Sequence, residues 1–209
     1  MTIELWLAFV AASSIVFLVP GPTILVVLSY ALSQGRRVAV ASALGVATGD
    51  LITMTTSLIG LGALVATSAS LFGVLKWIGA GYLIYLGIQF LRKNPTKGLQ
   101  AEMIPDQIAA KKVFGHAMTV TALNPKSIAF FIAFVPQFIN TNTALTPQFA
   151  ILIVTFVTLG GLNALAYALL ADQMRARIAK ASTLRTLNRV GGFALIGMGI
   201  LTATLKRAP

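Results

Sequence analysis

Two ionisable residues of opposite sign lie deep inside long apolar runs: Asp50 near the midpoint of Val38–Ala66 and Lys126 near the midpoint of His116–Ile139. A charge at the centre of a bilayer costs at least about 2.5–3.5 kcal/mol on insertion scales, so each should face a partner or a wet cavity. The pair could be a structural lock between helices. Alternatively, the two could hold the opposite ends of a zwitterion, with Asp50 also serving as the coupling-ion site by exchanging a proton during transport. Asn163, in a fifth apolar run, is a third polar candidate at depth. Near these charges the helical pattern is interrupted twice, by Pro20-Gly21-Pro22 within Leu5–Leu32 and by Asn124-Pro125-Lys126 within His116–Ile139. Pro22 lacks an N–H and suits a first helical turn with Gly21 as a permissive cap, which would aim the N–H groups of Thr23, Ile24 and Leu25 at a carboxylate. Asn124 and Pro125 repeat the arrangement as N-cap and first-turn proline. An isolated proline is most simply a packed kink, but two interruptions at matching depth in two halves of a chain are the pattern of a transporter's binding site.

Composition narrows the setting. The 209 residues are 57% hydrophobic and 10% charged with mean hydropathy +0.87, which makes this an integral membrane protein whose solvent is the lipid bilayer. The net charge of +11 does not imply nucleic acid, because the Lys and Arg residues lie between apolar runs rather than in a patch interleaved with aromatics. Cysteine is absent, His116 is the single histidine and only five acids are present, so neither a metal site nor a cofactor is expected. No nucleophile–base pair or phosphate loop occurs, so no catalytic residue is assigned and the chain is not read as an enzyme. His116 begins its run beside basic residues and reads as a surface histidine rather than a pH switch. The amino-terminal MTIELWLAFV has no Lys or Arg and reads as a retained first span, with cleavage after Ala31 or Ser33 as the alternative.

Six apolar runs are expected to span: Leu5–Leu32, Val38–Ala66, Leu71–Leu91, His116–Ile139, Pro147–Ala171 and Val190–Leu205. The last is short, roughly 24 Å at 1.5 Å per residue, so Arg189 and Lys206 are expected to snorkel from its ends. Twelve of the 16 Lys and Arg residues lie in three connections on one side, and only Lys206 and Arg207 lie on the other. The positive-inside rule therefore puts the basic loops in the cytoplasm and both termini outside. A polar stretch, 92–115, divides the chain into two three-helix repeats of opposite topology, 1–91 and 116–209. The fold expected is thus all-α, six transmembrane helices in two inverted repeats with helix breaks at PGP and NPK. Gly45 and Gly49, Gly73, Gly79, Gly81 and Gly87, and Gly191, Gly192, Gly197 and Gly199 are expected to let helices approach closely. Lys76, Trp77, Tyr82 and Tyr85 read as interfacial anchors or packing, and Asp172–Arg189 as a loop with a short interfacial helix.

Pro-Gly-Pro-Thr with LVVLSYALSQGRR, LGVATGD ending at Asp50, and NPKSIAFFIAFVPQF from Asn124 to Phe138 resemble the amino-acid exporter superfamily named for the lysine exporter LysE. The likeness is greatest to its RhtB branch, the homoserine, threonine and leucine exporters, and it covers nearly the whole chain. What the resemblance implies is a bacterial inner-membrane exporter driven by the proton motive force, with the motif positions Pro20, Gly21, Pro22, Gly45, Gly49, Asp50, Asn124, Pro125 and Lys126. Lysine and arginine exporters tend to carry an acid four positions after the Lys126 site, where this chain has Phe130; that favours a neutral amino acid. The substrate-binding set expected is Gly21, Pro22, Thr23, Asp50, Asn124, Pro125, Lys126, Phe130 and Asn163, with Phe131 and Phe134 adding apolar surface. The partners expected are a small amino-acid substrate, protons and lipid, with no nucleic acid and with a homodimer left open. The competing readings are a basic amino-acid exporter, a passive channel or a structural membrane protein.

Overall fold

The structure is a computed structural model that describes residues 1–18, 21–34, 36–67, 69–92, 108–140, 143–171 and 181–204. These residues form helices and no strands: α1 (Ile3–Leu18), α2 (Pro22–Gln34), α3 (Arg36–Thr67), α4 (Ala69–Arg92), α5 (Ala110–Ala122), α6 (Pro125–Ala129), α7 (Leu145–Leu169) and α8 (Ala181–Thr204). Between α6 and α7 the chain makes a π-helical turn, Phe130–Phe134, and a short 3-10 helix, Val135–Phe138. Four stretches, Val38–Ala63, Gly73–Arg92, Leu145–Leu169 and Ser182–Thr204, are single helices long and apolar enough to cross a membrane. The other two are bent pairs, Ile3–Leu18 with Pro22–Leu32 at 59° and Ala110–Ala122 with Pro125–Phe138 at 40°, so counting each pair as one span gives six. Large apolar side chains such as Ile59, Trp77, Val154 and Phe193 project outward. This outer surface is stable in lipid and would not be in water. Pro20, most of the 92–115 stretch, Arg175, Arg177, Lys180, Lys206 and Arg207 lie outside the described residues.

Small residues set the helix spacing. α3 packs against both α5 and α7, and α4 packs chiefly against α8. A Cβ at Gly49 would stand 2.6 Å from the Met118 carbonyl oxygen and 2.8 Å from Thr121 Cβ, so only glycine lets α3 lie backbone to backbone on α5. Gly87 and Gly192 do the same between α4 and α8, each facing the other's carbonyl oxygen. Gly73, Gly81 and Gly197 face no atom within 4 Å and do not serve this purpose.

The last helix differs from the expected short span. It begins at Ala181, and Leu184, Asn188, Gly191, Gly192, Leu195 and Met198 form one buried stripe, while Arg185 and Arg189 project from the exposed face. The helix thus continues past the charges, because the arginines lie off the packed stripe and can reach the interface. Averaged hydropathy discards that directional information. For the same reason α5 begins at Ala110, six residues before His116, with Lys111 and Lys112 exposed in its first turn.

The two larger apolar clusters differ in the size of their side chains. One joins Phe9, Val16, Met54, Phe130, Phe131, Phe134, Phe138 and Phe156, with ring pairs such as Phe9 and Phe138 at 5.3 Å and Phe131 and Phe156 at 4.7 Å between centroids. The other is built from smaller residues, including Ala39, Ala43, Ala117, Ala164 and Ala168 with Val27 and Leu28.

Candidate functional site

The turn between α5 and α6 leaves backbone groups without helical partners, and several of them find a substitute. Thr53 Oγ1 on α3 lies 2.9 Å from both the Gly49 and the Ala122 carbonyl oxygens, so its one proton is shared between its own helix and the end of α5. Asn124 N donates to the Thr121 carbonyl at 3.0 Å, and Ile128 N donates to the Asn124 carbonyl at 3.1 Å. Asn124 is extended (φ −68°, ψ 111°) and caps α6, its Oδ1 accepting from Lys126 N at 3.0 Å, with Pro125 in the first turn. The Lys126 N–H is therefore occupied by the cap. Asn124 Nδ2 donates to Thr23 Oγ1 at 3.1 Å, and Thr121 Oγ1 lies 3.4 Å from the same oxygen, which ties the start of α2 to the α5–α6 turn.

Lys126 is 8% exposed, and its ammonium donates to the carbonyl of Val16 at 2.7 Å. Val16 is in the last turn of α1, where the final four carbonyls have no helical N–H. A cation is the favoured group at that end of the helix. Gly21 lies beside this contact without being required by it, since a Cβ there would meet Lys126 Nζ at 3.6 Å and Asn124 Nδ2 at 3.9 Å, both ordinary contacts.

Asp50 is 2% exposed, and among the described residues no donor hydrogen-bonds its carboxylate. The charge that acts on it through space is Lys126. Both residues line a cavity of about 20 Å³ whose wall also includes Val16, Phe17, Gly21, Thr23 and Ile24 from the α1–α2 region, Val46 of α3, Thr121 of α5, Asn124 and Ser127 around α6, and Gly160 and Asn163 of α7. That volume fits about one water molecule. Among the described residues no group of three His, Cys, Asp or Glu could hold a metal ion.

The structure thus brings Gly21, Thr23, Asp50, Asn124, Lys126 and Asn163 to one cavity wall, whereas Pro22, Pro125 and Phe130 do not line it. The two prolines adjoin the wall as helix starters. Phe130 is fully buried between α1 and α7, stacked on Phe156 at 5.8 Å and on Phe9 at 6.5 Å. The reason is local: Pro136 has no N–H and cannot extend the helix, and the preceding segment widens into the π-helical turn that carries Phe130, Phe131 and Phe134 into the aromatic cluster. Sequence reasoning missed Val16, whose contribution is a backbone carbonyl, and Gly160. The adjacent glycines 160 and 161, at mid-span, were the only signal for the second. His116 is exposed, yet its Nδ1 lies 2.8 Å from the buried Tyr30 hydroxyl, a link between α2 and α5 that composition did not suggest.

The profile of the LysE type translocator family matches residues 14–206. The chain belongs to that family. Among its relatives, an uncharacterized membrane protein of Vibrio cholerae serotype O1 is 34% identical over 99% of this chain and all of its own length. Homoserine/homoserine lactone efflux proteins of Salmonella typhimurium and Salmonella typhi are 34% and 33% identical over the whole of both chains. No solved structure matches. The translocator is accordingly a multi-pass membrane protein, and its family and relatives point to a transporter of the amino-acid export class rather than an enzyme.

Proposed function

We propose that this translocator exports a neutral amino acid from the bacterial cytoplasm across the inner membrane, exchanging it for protons by alternating access. The observation that carries the reading is the presence of Asp50 and Lys126 on one buried cavity wall that has no other charged residue among those described. A zwitterion matches it. The substrate carboxylate would meet Lys126 and the first N–H groups of α2, and its ammonium would meet Asp50. Thr23, Thr121, Ser127 and Asn163 suit a short hydroxylated side chain such as that of homoserine, the substrate named for the Salmonella relatives. Among the described residues Asp50 is the only acid on the wall, so a second cationic group on lysine or arginine would be desolvated without a partner.

The cavity is too small for an amino acid, so loading requires the α1–α2 and α5–α6 regions to part. An arriving carboxylate would compete with the Val16 carbonyl for the Lys126 ammonium, exchanging one hydrogen bond for another while loosening the end of α1. Proton exchange is assigned to Asp50, which faces the water-sized space. The alternating halves are residues 1–91 and 116–209, joined by a cytoplasmic linker at 92–115. Supporting this division, each half opens with a bent helix pair, and the helix that closes the first half, α4, packs on the helix that closes the second, α8.

Counterflow in proteoliposomes tests the reading. Unlabelled internal homoserine should drive uptake of labelled homoserine, excess threonine should compete and lysine should not. Asp50→Asn should retain the fold while losing proton-driven accumulation. Absence of exchange with any neutral amino acid would rule out the carrier, and equal competition by lysine would rule out the polarity assignment.

A further inference from the structure

Asp50 has a buried carboxylate with no hydrogen-bond donor among the described residues, so apart from the through-space attraction of Lys126 its orientation is set by the shape of its surroundings. The shape is supplied by two neighbours. On α7, a Cβ at Gly160 would stand 2.5 Å from Asp50 Oδ2, and on α1 the Phe17 ring lies 3.0 and 3.1 Å from the same point. We propose that Gly160 is the positioning residue for Asp50, its bare Cα forming the seat that keeps the carboxylate turned into the cavity shared with Lys126. This rests on the export reading of that cavity and adds a residue to it.

A methyl group at 160 cannot coexist with the carboxylate where it now lies. α3 and α7 are packed against each other, so the flexible end of the Asp50 side chain is the part that moves. It can turn toward Lys126, the other charged residue on the wall among the described residues, and form a direct ion pair, or it can leave the cavity altogether. In both positions it is withdrawn from a substrate ammonium and from an exchangeable proton. The next residue supplies an internal control: a Cβ at Gly161 would meet only Ala47 Cβ, at 3.4 Å, an ordinary contact. Gly160→Ala and Gly161→Ala therefore make the same chemical change on the same helix, and differ in whether they press on Asp50 and the neighbouring Phe17 ring; the infrared band of Asp50 reports the first of these contacts.

The full chain is reconstituted as wild type, Gly160→Ala, Gly161→Ala and Asp50→Asn. Two quantities are read: counterflow of labelled homoserine and the pH-difference infrared spectrum, in which the Asp50 carboxyl band is the one abolished by Asp50→Asn. Gly160→Ala should displace that band or remove its pH response and lower exchange at least tenfold, while Gly161→Ala keeps the wild-type band and exchange within twofold. Equal behaviour of the two alanine variants in both readouts would overturn the proposal. If Gly160→Ala fails to fold, combining it with Asp50→Ala and Phe17→Leu should restore folding; no restoration would place the fault elsewhere and equally overturn it. A wild-type protein that exchanges no amino acid would sink the export reading alone, since the infrared comparison of the two variants still reports the contact between position 160 and Asp50.

Discussion

Replacing Lys126 with methionine keeps the length and apolar stem of the side chain and deletes its ammonium. Two losses follow. The Val16 carbonyl forfeits a 2.7 Å hydrogen bond from a charged donor, a type of contact worth about 1.5–3 kcal/mol. Asp50 also loses the opposite charge that acts on it, and removing one member of a buried charge pair costs about 3–5 kcal/mol. The second figure already contains part of the first, so the expected total is about 3–5 kcal/mol rather than their sum. For a chain of this size that corresponds to a fall of roughly 6–20 °C in the thermal transition. Adding Asp50→Asn should recover part of this loss, because the uncompensated acid disappears while the lost bond to Val16 remains. The measurement is thermal unfolding of wild type, both single variants and the double variant in one detergent, analysed as a double-mutant cycle. A double variant no more stable than Lys126→Met would refute the coupling of Asp50 to Lys126, and a single variant melting with wild type would refute the capping of α1 by the ammonium.

Gly49→Val should disrupt the α3–α5 contact, costing at least about 1–3 kcal/mol by overpacking, whereas Gly81→Ala, with nothing within 4 Å, should be neutral or stabilising by up to about 1 kcal/mol; yield and thermal stability of the two variants check this. Because the chain has no cysteine, single cysteines at Thr143 and Ser182 can report sidedness directly: Thr143 should react with an impermeant thiol reagent added outside and Ser182 should not, and the reverse pattern would invert the proposed topology.

Local chemistry made part of this protein readable from its residues. Lipid imposes long apolar helices on any chain that crosses it, so the positions of α3, α4 and α7 follow from hydropathy. Capping is equally local: the N-cap of Asn124 and the first-turn place of Pro125 depend on residues within a single turn. The cost of a charge in hydrocarbon singled out Asp50 and Lys126 before any fold was known. Three features depended on packing between segments distant in the chain. The ammonium of Lys126 meets a backbone carbonyl of α1, and every residue has such a carbonyl, so its side chain gives no hint of the role. Phe130 has Phe9 of α1 and Phe156 of α7 against its ring, partners from distant parts of the chain that the helical periodicity of its own segment would not foresee. Gly160 acts through the absence of a side chain, which acquires meaning only when α3 brings the Asp50 carboxylate against it.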